Sequence, residues 1–377
     1  MKDENAHMLA DNVYDAFFLI PLYLGMYYKA DLHIHGKMSK KLYRNAMNYL
    51  QRILCDFSDD LSRIDVKVEG FANVEGEQSI IGTGISCGVD SLTTIYDRYV
   101  LEDDPEYRVN GLFFFNYGSC GDYGDAARKL WLERYTLNNS AADELGLPVY
   151  RVDSNLHAFT HAYKGGGQKM GYFANYSCIL GLGGAVKRHY TSSCFSYKQI
   201  LSFGTKYRDF DFAEFSESYS VPLIRTERTE IVIDGCQYER SQKTEHIADW
   251  DIAQKYLNVC VAPVDGAHNC SKCSKCMRAL IVIDALGKLE KFADVFNIDV
   301  YNRHSLEKKC RIVLDKDTDA YYNDMYFFAK SHGMHLPSRF TASLYFLAHR
   351  ISSFTKKAAR KLMSQKLYSG LKHFLKR

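Results

Sequence analysis

Two stretches of this 377-residue chain hold residues whose types and spacing can do chemistry. The first is Cys260, Cys270, Cys273 and Cys276, spaced C-x9-C-x2-C-x2-C. Two-residue gaps aim neighbouring thiolates at one point, and a longer loop returns the fourth to close a tetrahedron around Zn2+. Lys272, Lys275 and Arg278 are interleaved and offset the charge of a tetrathiolate site. Four protein ligands leave no open coordination position, so the expected role is structural: to pin the loop around Pro263–Asn269 and start a helix, Met277–Leu286. An iron–sulfur cluster is the chief rival, and buried unligated cysteines are the plainer alternative.

The second stretch is Ile80–Ile95, IIGTGISCGVDSLTTI. An apolar strand runs into Ser86-Cys87-Gly88-Val89-Asp90-Ser91, and a helical pattern follows at Leu92 and Ile95. A tight strand-to-helix turn points backbone N–H groups and the positive end of a helix dipole at one spot, which stabilises a phosphate. Gly88 permits close backbone approach, and the Ser86 and Ser91 hydroxyls can donate. Asp90 would repel phosphate unless it holds a metal ion or orients a donor. Without any ligand, Asp90 and Ser91 read as ordinary caps of a helix.

Further polar residues fall where a ligand could meet them. Asp153 and Asn155 close a strand candidate, and groups just outside the carboxyl ends of parallel strands face a ligand crevice; turn chemistry accounts for them as well. Arg240 and Lys243 stand three apart on one helical face, positioned to stabilise negative charge on a leaving group, with a solvated helix surface as the alternative. His33 and His35 project from one face of a strand, a workable pair of metal ligands. The next histidine is His157, so these two are expected to be surface or half-buried side chains and not a metal hydrolase centre.

The elements that must position these groups are those of an α/β protein. Apolar strand candidates Ser79–Ile85, Gly111–Tyr117, Pro148–Val152, Val186–Ser192 and Val221–Ile224 alternate with helical segments, the signature of a parallel sheet. Ahead of them, residues 1–78 form an expected α+β block with strand-like runs at Val13–Ile20 and Asp31–Ile34 and a helix at Ser39–Phe57. Residues 79–300 make the central domain, and 301–377 a helical extension. Ile351, Phe354, Ala358, Leu362, Leu371 and Phe374 mark the apolar stripe of a basic amphipathic helix that could meet an anionic surface, a partner protein or RNA, or pack on the body.

Composition narrows the class. A 46% hydrophobic and 25% charged chain is ordinary for a folded globular protein. The net charge is +3, yet eight Lys or Arg and no acid lie between Lys356 and Arg377, so the remainder is acidic by five charges. That distribution does not describe a protein built primarily to bind nucleic acid. No run approaches the roughly 20 apolar residues of a membrane helix, and Ala16–Tyr23 is interrupted by Pro21 and preceded by acidic residues, the wrong flank for a signal peptide. A cytoplasmic location is expected, where eleven cysteines need a reason other than disulfides.

The Ser86–Ser91 segment resembles the phosphate loop of the PP-loop ATP pyrophosphatase superfamily, Ser-Gly-Gly-x-Asp-Ser after the first strand of a Rossmann-like domain of the HUP type. It departs at Cys87, where the pattern has glycine, and a side chain there is costly if φ is positive. Paired with the cysteine cluster, residues 79–290 are similar to the 7-cyano-7-deazaguanine synthases. The resemblance implies an enzyme that binds ATP with Mg2+ at Ser86–Ser91 and transfers AMP to a carboxylate or amide oxygen. Pyrophosphate is then released, and a nitrogen nucleophile displaces AMP. It also implies adenine against the backbone of Phe114, Phe115 and Asn116, with Tyr117–Cys120 near the ribose. Sulfur transfer on the same fold, with Cys87, Cys120, Cys178 and Cys194 as free thiols, and a non-catalytic zinc-stabilised scaffold are the alternatives. The acceptor and the oligomeric state stay open.

Overall fold

The computed structural model describes residues 3–73, 78–118, 120, 125–161, 166–203, 212–261, 263 and 268–362. Its strands are β1 (Leu32–Met38), β2 (Val66–Phe71), β3 (Ile80–Gly84), β4 (Gly111–Asn116), β5 (Val149–Asp153), β6 (Val186–Ser192) and β7 (Glu230–Asp234). The last five form one sheet in the order β5-β4-β3-β6-β7, every pair parallel, flanked by helices. The chain adds β4 and β5 on one side of β3, then crosses back to add β6 and β7 on the other. A crevice opens at such a switch point, outside the carboxyl ends of the strands.

Side-chain alternation along β4 separates two cores. Phe113 and Phe115 enter one with the helix Gly166–Gly181 and with residues of the first block such as Tyr23 and Leu42. Phe114 enters the other, stacked on Trp131 with ring centroids 5.9 Å apart. That second core includes Leu92, Leu280, Ile312 and Phe328, so the C-terminal helices Ile298–Asp315 and Ala320–Ser331 pack into the same interior as the sheet. The helix Ile298–Asp315 crosses the expected boundary at residue 300.

Two expected strands are not strands. Val13–Ile20 contains a 3-10 turn at Asp15–Phe17 and the start of the helix Leu19–Tyr28, because Pro21 sits in the first helical turn, where no N–H is needed. Val221–Leu223 is a 3-10 turn with Pro222 at its second position, a residue that cannot donate to a ladder. The fifth strand of the sheet is β7 instead, and β1 pairs parallel with β2 in a small second sheet. The expected helix Ser39–Phe57 forms with one π turn, Ala46–Leu50. Among the described residues no helix is long and apolar enough to cross a membrane. The basic tail beyond residue 362, with Leu371 and Phe374, lies outside the described residues.

The π turn Tyr96–Leu101, which continues the helix after the β3 turn, is fixed to β7 by charge. Arg98 donates from Nε (2.8 Å) and Nη2 (2.7 Å) to Oδ1 of Asp234, whose side chain is 1% exposed. Removing one partner of such a pair leaves a buried charge uncompensated. Arg98→Ala is expected to lower unfolding stability by roughly 2–3 kcal/mol, because Arg98 is partly exposed. A urea midpoint equal to wild type would contradict this.

Candidate functional site

β3 ends at Gly84, and after four intervening residues the helix Val89–Ile95 begins with Gly88 as its N-cap and no side-chain cap. The first helical backbone bond runs from Leu92 N to Gly88 O at 2.9 Å. The N–H groups of Val89, Asp90 and Ser91 precede it and take no part in the helix ladder. Ser91 Oγ receives the Ser86 amide (3.3 Å) and hydroxyl (3.1 Å), and Ser86 Oγ receives the Gly88 amide (3.3 Å). These long contacts curl the turn around its own centre.

Cys87 has φ of 53°, in the left-handed region. The position where the phosphate-loop pattern has glycine is therefore the one that needs a glycine-like backbone, at a cost of about 1 kcal/mol for a side chain. The Asn258 amide holds the Cys87 carbonyl at 2.7 Å. The thiol points into the core, and burial pushes it up to about 12, which leaves it unreactive at neutral pH.

Asp90 meets both basic residues singled out from the sequence. Arg240 Nη1 donates to its Oδ2 at 2.6 Å and Lys243 Nζ to its Oδ1 at 3.3 Å. Lys243 is 1% exposed and also donates to Ser193 O (2.6 Å) and Oγ (3.1 Å), so the helix Arg240–His246 does not carry it on a solvated face. Gly235 makes the room. Its φ is +83°, and a Cβ there would stand 3.2 Å from Lys243 Cε. A Glu239/Gln242 capping box starts the helix, and buried Asp324 accepts from the Ser241 amide and hydroxyl. Burial raises the pKa of Asp90, but the charges of Arg240 and Lys243 and the Lys243 hydrogen bond outweigh it and lower the net value. Asp90 thus orients cationic donors at the turn.

Above these groups lies a cleft of about 560 Å³ at the carboxyl edge of the sheet. Ser86, Gly88, Asp90, Ser91, Phe115 and Arg240 line it. Cys87, Val89 and Lys243 are buried behind its wall. Asn116, Asp153 and Asn155 are not among the lining residues: Asn116 Nδ2 bonds Asp153 Oδ1 at 2.8 Å, Arg128 pairs with Asp153 at 3.4 Å, and Asn155 is exposed.

The sequence reading missed Asn138, His189 and Arg134, which also line the cleft, as does Lys275, expected only to offset the charge of the thiolates. Asn138 Oδ1 and His189 Nδ1 are buried polar atoms with no hydrogen-bond partner among the described residues, the condition a ligand relieves. Burial lowers His189 to about 3, so it is neutral at physiological pH. A histidine in the middle of a buried strand was the available signal.

The cysteine cluster forms one wall of the same cleft through Cys260. The four Sγ atoms lie within 4.8 Å of one another, with 3.9 Å between Cys260 and Cys273 and 4.0 Å between Cys270 and Cys276. Metal–sulfur bonds of about 2.3 Å in a tetrahedron give S–S edges of about 3.8 Å, so the four sulfurs can hold one metal ion. Backbone N–H groups of Cys270, Cys273 and Cys276 donate to the sulfurs of Cys260, Cys270 and Cys273 at 3.3–3.4 Å. The Cys276 thiol at 3.4 Å holds the Cys273 thiol below its ordinary range, toward the thiolate a metal ion takes. Cys273 also caps the helix Ser274–Ala285, which starts earlier than the expected Met277. Asn269 ties the loop together, accepting from Val259 N (3.0 Å) and donating to Leu257 O (2.8 Å) and Val295 O (3.0 Å). Of the expected loop, residues 264–267 lie outside the described residues. Separately, His33 and His35 are exposed with rings 4.1 Å apart, and Glu69 stands 3.1 Å from His35.

Two outcomes are expected. Asp90→Asn should cost about 3 kcal/mol by leaving Arg240 and Lys243 uncompensated. Because the folded pKa of Asp90 is depressed, that difference persists at all pH above the ordinary 3.8 and shrinks only as pH falls through the lowered value. Urea titrations of both proteins between neutral pH and pH 3 check the sign; a difference that grows on acidification would contradict it. Metal analysis should find about one thiophilic ion per chain, lost in Cys273→Ser. A metal-free native preparation would refute the site. No protein-family model matches this sequence, and no curated protein matches it.

Proposed function

We propose that this protein is an ATP-dependent adenylating enzyme of the PP-loop type. The observation that carries the reading is the convergence, at a sheet switch point, of an uncapped helix N-terminus, two hydroxyls and the Arg240–Asp90–Lys243 group on one cleft. The terminal phosphates of ATP would meet the Val89–Ser91 amides and the Ser86 and Ser91 hydroxyls, with Arg240 stabilising the charge that develops on departing pyrophosphate. Asp90 is engaged by its two cations, so Mg2+ would be held chiefly by the phosphates. The adenine would lie along Phe114–Phe115, and Asn138 and His189 would supply polar contacts deeper in the cleft.

A substrate carboxylate or amide oxygen would attack the α-phosphorus as the bond to pyrophosphate breaks. A nitrogen nucleophile would then add to the activated carbon, lose a proton and expel AMP. The metal of the cysteine cluster would be Zn2+, suited to four thiolates, and would act by shaping the wall. Sulfur transfer has one favouring observation: Cys120 and Cys194 line the cleft. Burial, by contrast, pushes Cys87 and Cys178 up to about 12. The mass of the product separates nitrogen from sulfur insertion.

Ser86 is exposed at the turn, so Ser86→Ala should fold normally yet lose about 100-fold in pyrophosphate release from MgATP in the presence of a cell-extract small-molecule pool. Equal release by the variant, or release of orthophosphate in place of pyrophosphate, would overturn the proposal.

A further inference from the structure

The helix Arg339–Leu362 is divided between two environments. On one side Ala342 is fully buried, and Tyr345 and Phe346 pack on the core, with Arg311 of the helix Ile298–Asp315 over the Phe346 ring at 4.3 Å. On another side Phe340, Leu344, Leu347 and Ile351 are 73%, 47%, 54% and 57% exposed. Their spacing of four, three and four residues puts them in one line along the helix. The same spacing continues in sequence through Phe354, Ala358 and Leu362. Large apolar side chains scattered singly on a surface are ordinary, but a continuous line of them marks a contact.

Charge selects the occupant. From Arg339 to Arg377 there are ten Lys or Arg and no Asp or Glu. A second copy pairing along the stripe would bring two such cationic segments together. A nucleic acid would satisfy the cations but leave the apolar line in water. An anionic lipid surface meets both: acyl chains accept the apolar line while lipid phosphates accept cations supplied by the same stretch of sequence. We propose that this helix docks the protein on an anionic membrane surface, lying in the interface and not crossing it. The cleft is part of the body to which the helix is packed, so docking would present the enzyme at the membrane.

The test is sedimentation of the full chain with vesicles of phosphatidylglycerol and phosphatidylcholine, against phosphatidylcholine alone. Binding is expected to the anionic vesicles, weaker by about tenfold or more to the neutral ones, and to fall with added salt. The double variant Leu344→Glu/Leu347→Glu should lose at least about tenfold in anionic-vesicle affinity while keeping the wild-type unfolding midpoint, because both side chains are exposed. Absence of vesicle binding, or equal binding by the double variant, would overturn the proposal. So would a wild-type dimer in light scattering that the double variant abolishes without vesicle binding, since the stripe would then be a self-association surface. RNA retention with inert vesicles would likewise reject the lipid surface.

Discussion

Asp90 held between Arg240 and Lys243 is the contact on which the cleft is built. The carboxylate belongs to the first turn of the helix after β3, and the two cations come from a helix roughly 150 positions later in the chain. Lone buried charges are expensive, so each of the three fixes the place of the others. The cluster also recruits segments that touch no substrate in the proposal. Gly235 leaves space for the lysine stem, Ser193 accepts two of its hydrogen bonds, and Asp324 from the C-terminal helices anchors the start of the Arg240 helix. A carboxylate beside a phosphate loop is a liability when free and an asset when it carries two cations.

The cysteine cluster and the turn are parts of one wall. Asn258 stands two residues before Cys260 and holds the carbonyl of Cys87, the residue in the left-handed conformation. Arg134 then bonds the Cys260 carbonyl at 3.0 Å. Four sulfurs gathered on one ion would therefore fix the strained residue of the turn from outside, and the tolerance of a cysteine at that position has a physical basis. The buried thiol fills core space while an external hydrogen bond maintains its φ.

Much of this was legible in the residues. The strands β3 to β6 announce themselves as short apolar runs between turn signals, and the cysteine spacing declares a four-ligand knot whose sulfurs the fold does bring together. β7 was not legible, because Glu230-Ile-Val-Ile-Asp234 is brief and bracketed by acids, whereas the apolar Val221–Leu223 next to it is turned by Pro222. The partnership of Asp90 with Arg240 and Lys243 could not be read either. It depends on how a crossover and a glycine turn bring two distant helices together, and spacing along a helix reports only neighbours on that helix. Asn138 and His189 were hidden for the same reason: each looks like an ordinary polar residue until the fold brings a helix and β6 to the cleft and leaves Asn138 Oδ1 and His189 Nδ1 without a partner among the described residues. At Asp153 and Asn155 the rule that strand ends face the ligand named residues at the sheet edge, while the cleft opens around β3, β4 and β6.

The most direct test is a crystal structure of the protein soaked with Mg2+ and an ATP analogue that cannot be cleaved between the α- and β-phosphorus. Density for the terminal phosphates within hydrogen-bond reach of the Val89, Asp90 and Ser91 amides, with the base along β4, is the expected result. Phosphates bound elsewhere, or a cleft left empty at saturating nucleotide, would contradict the account.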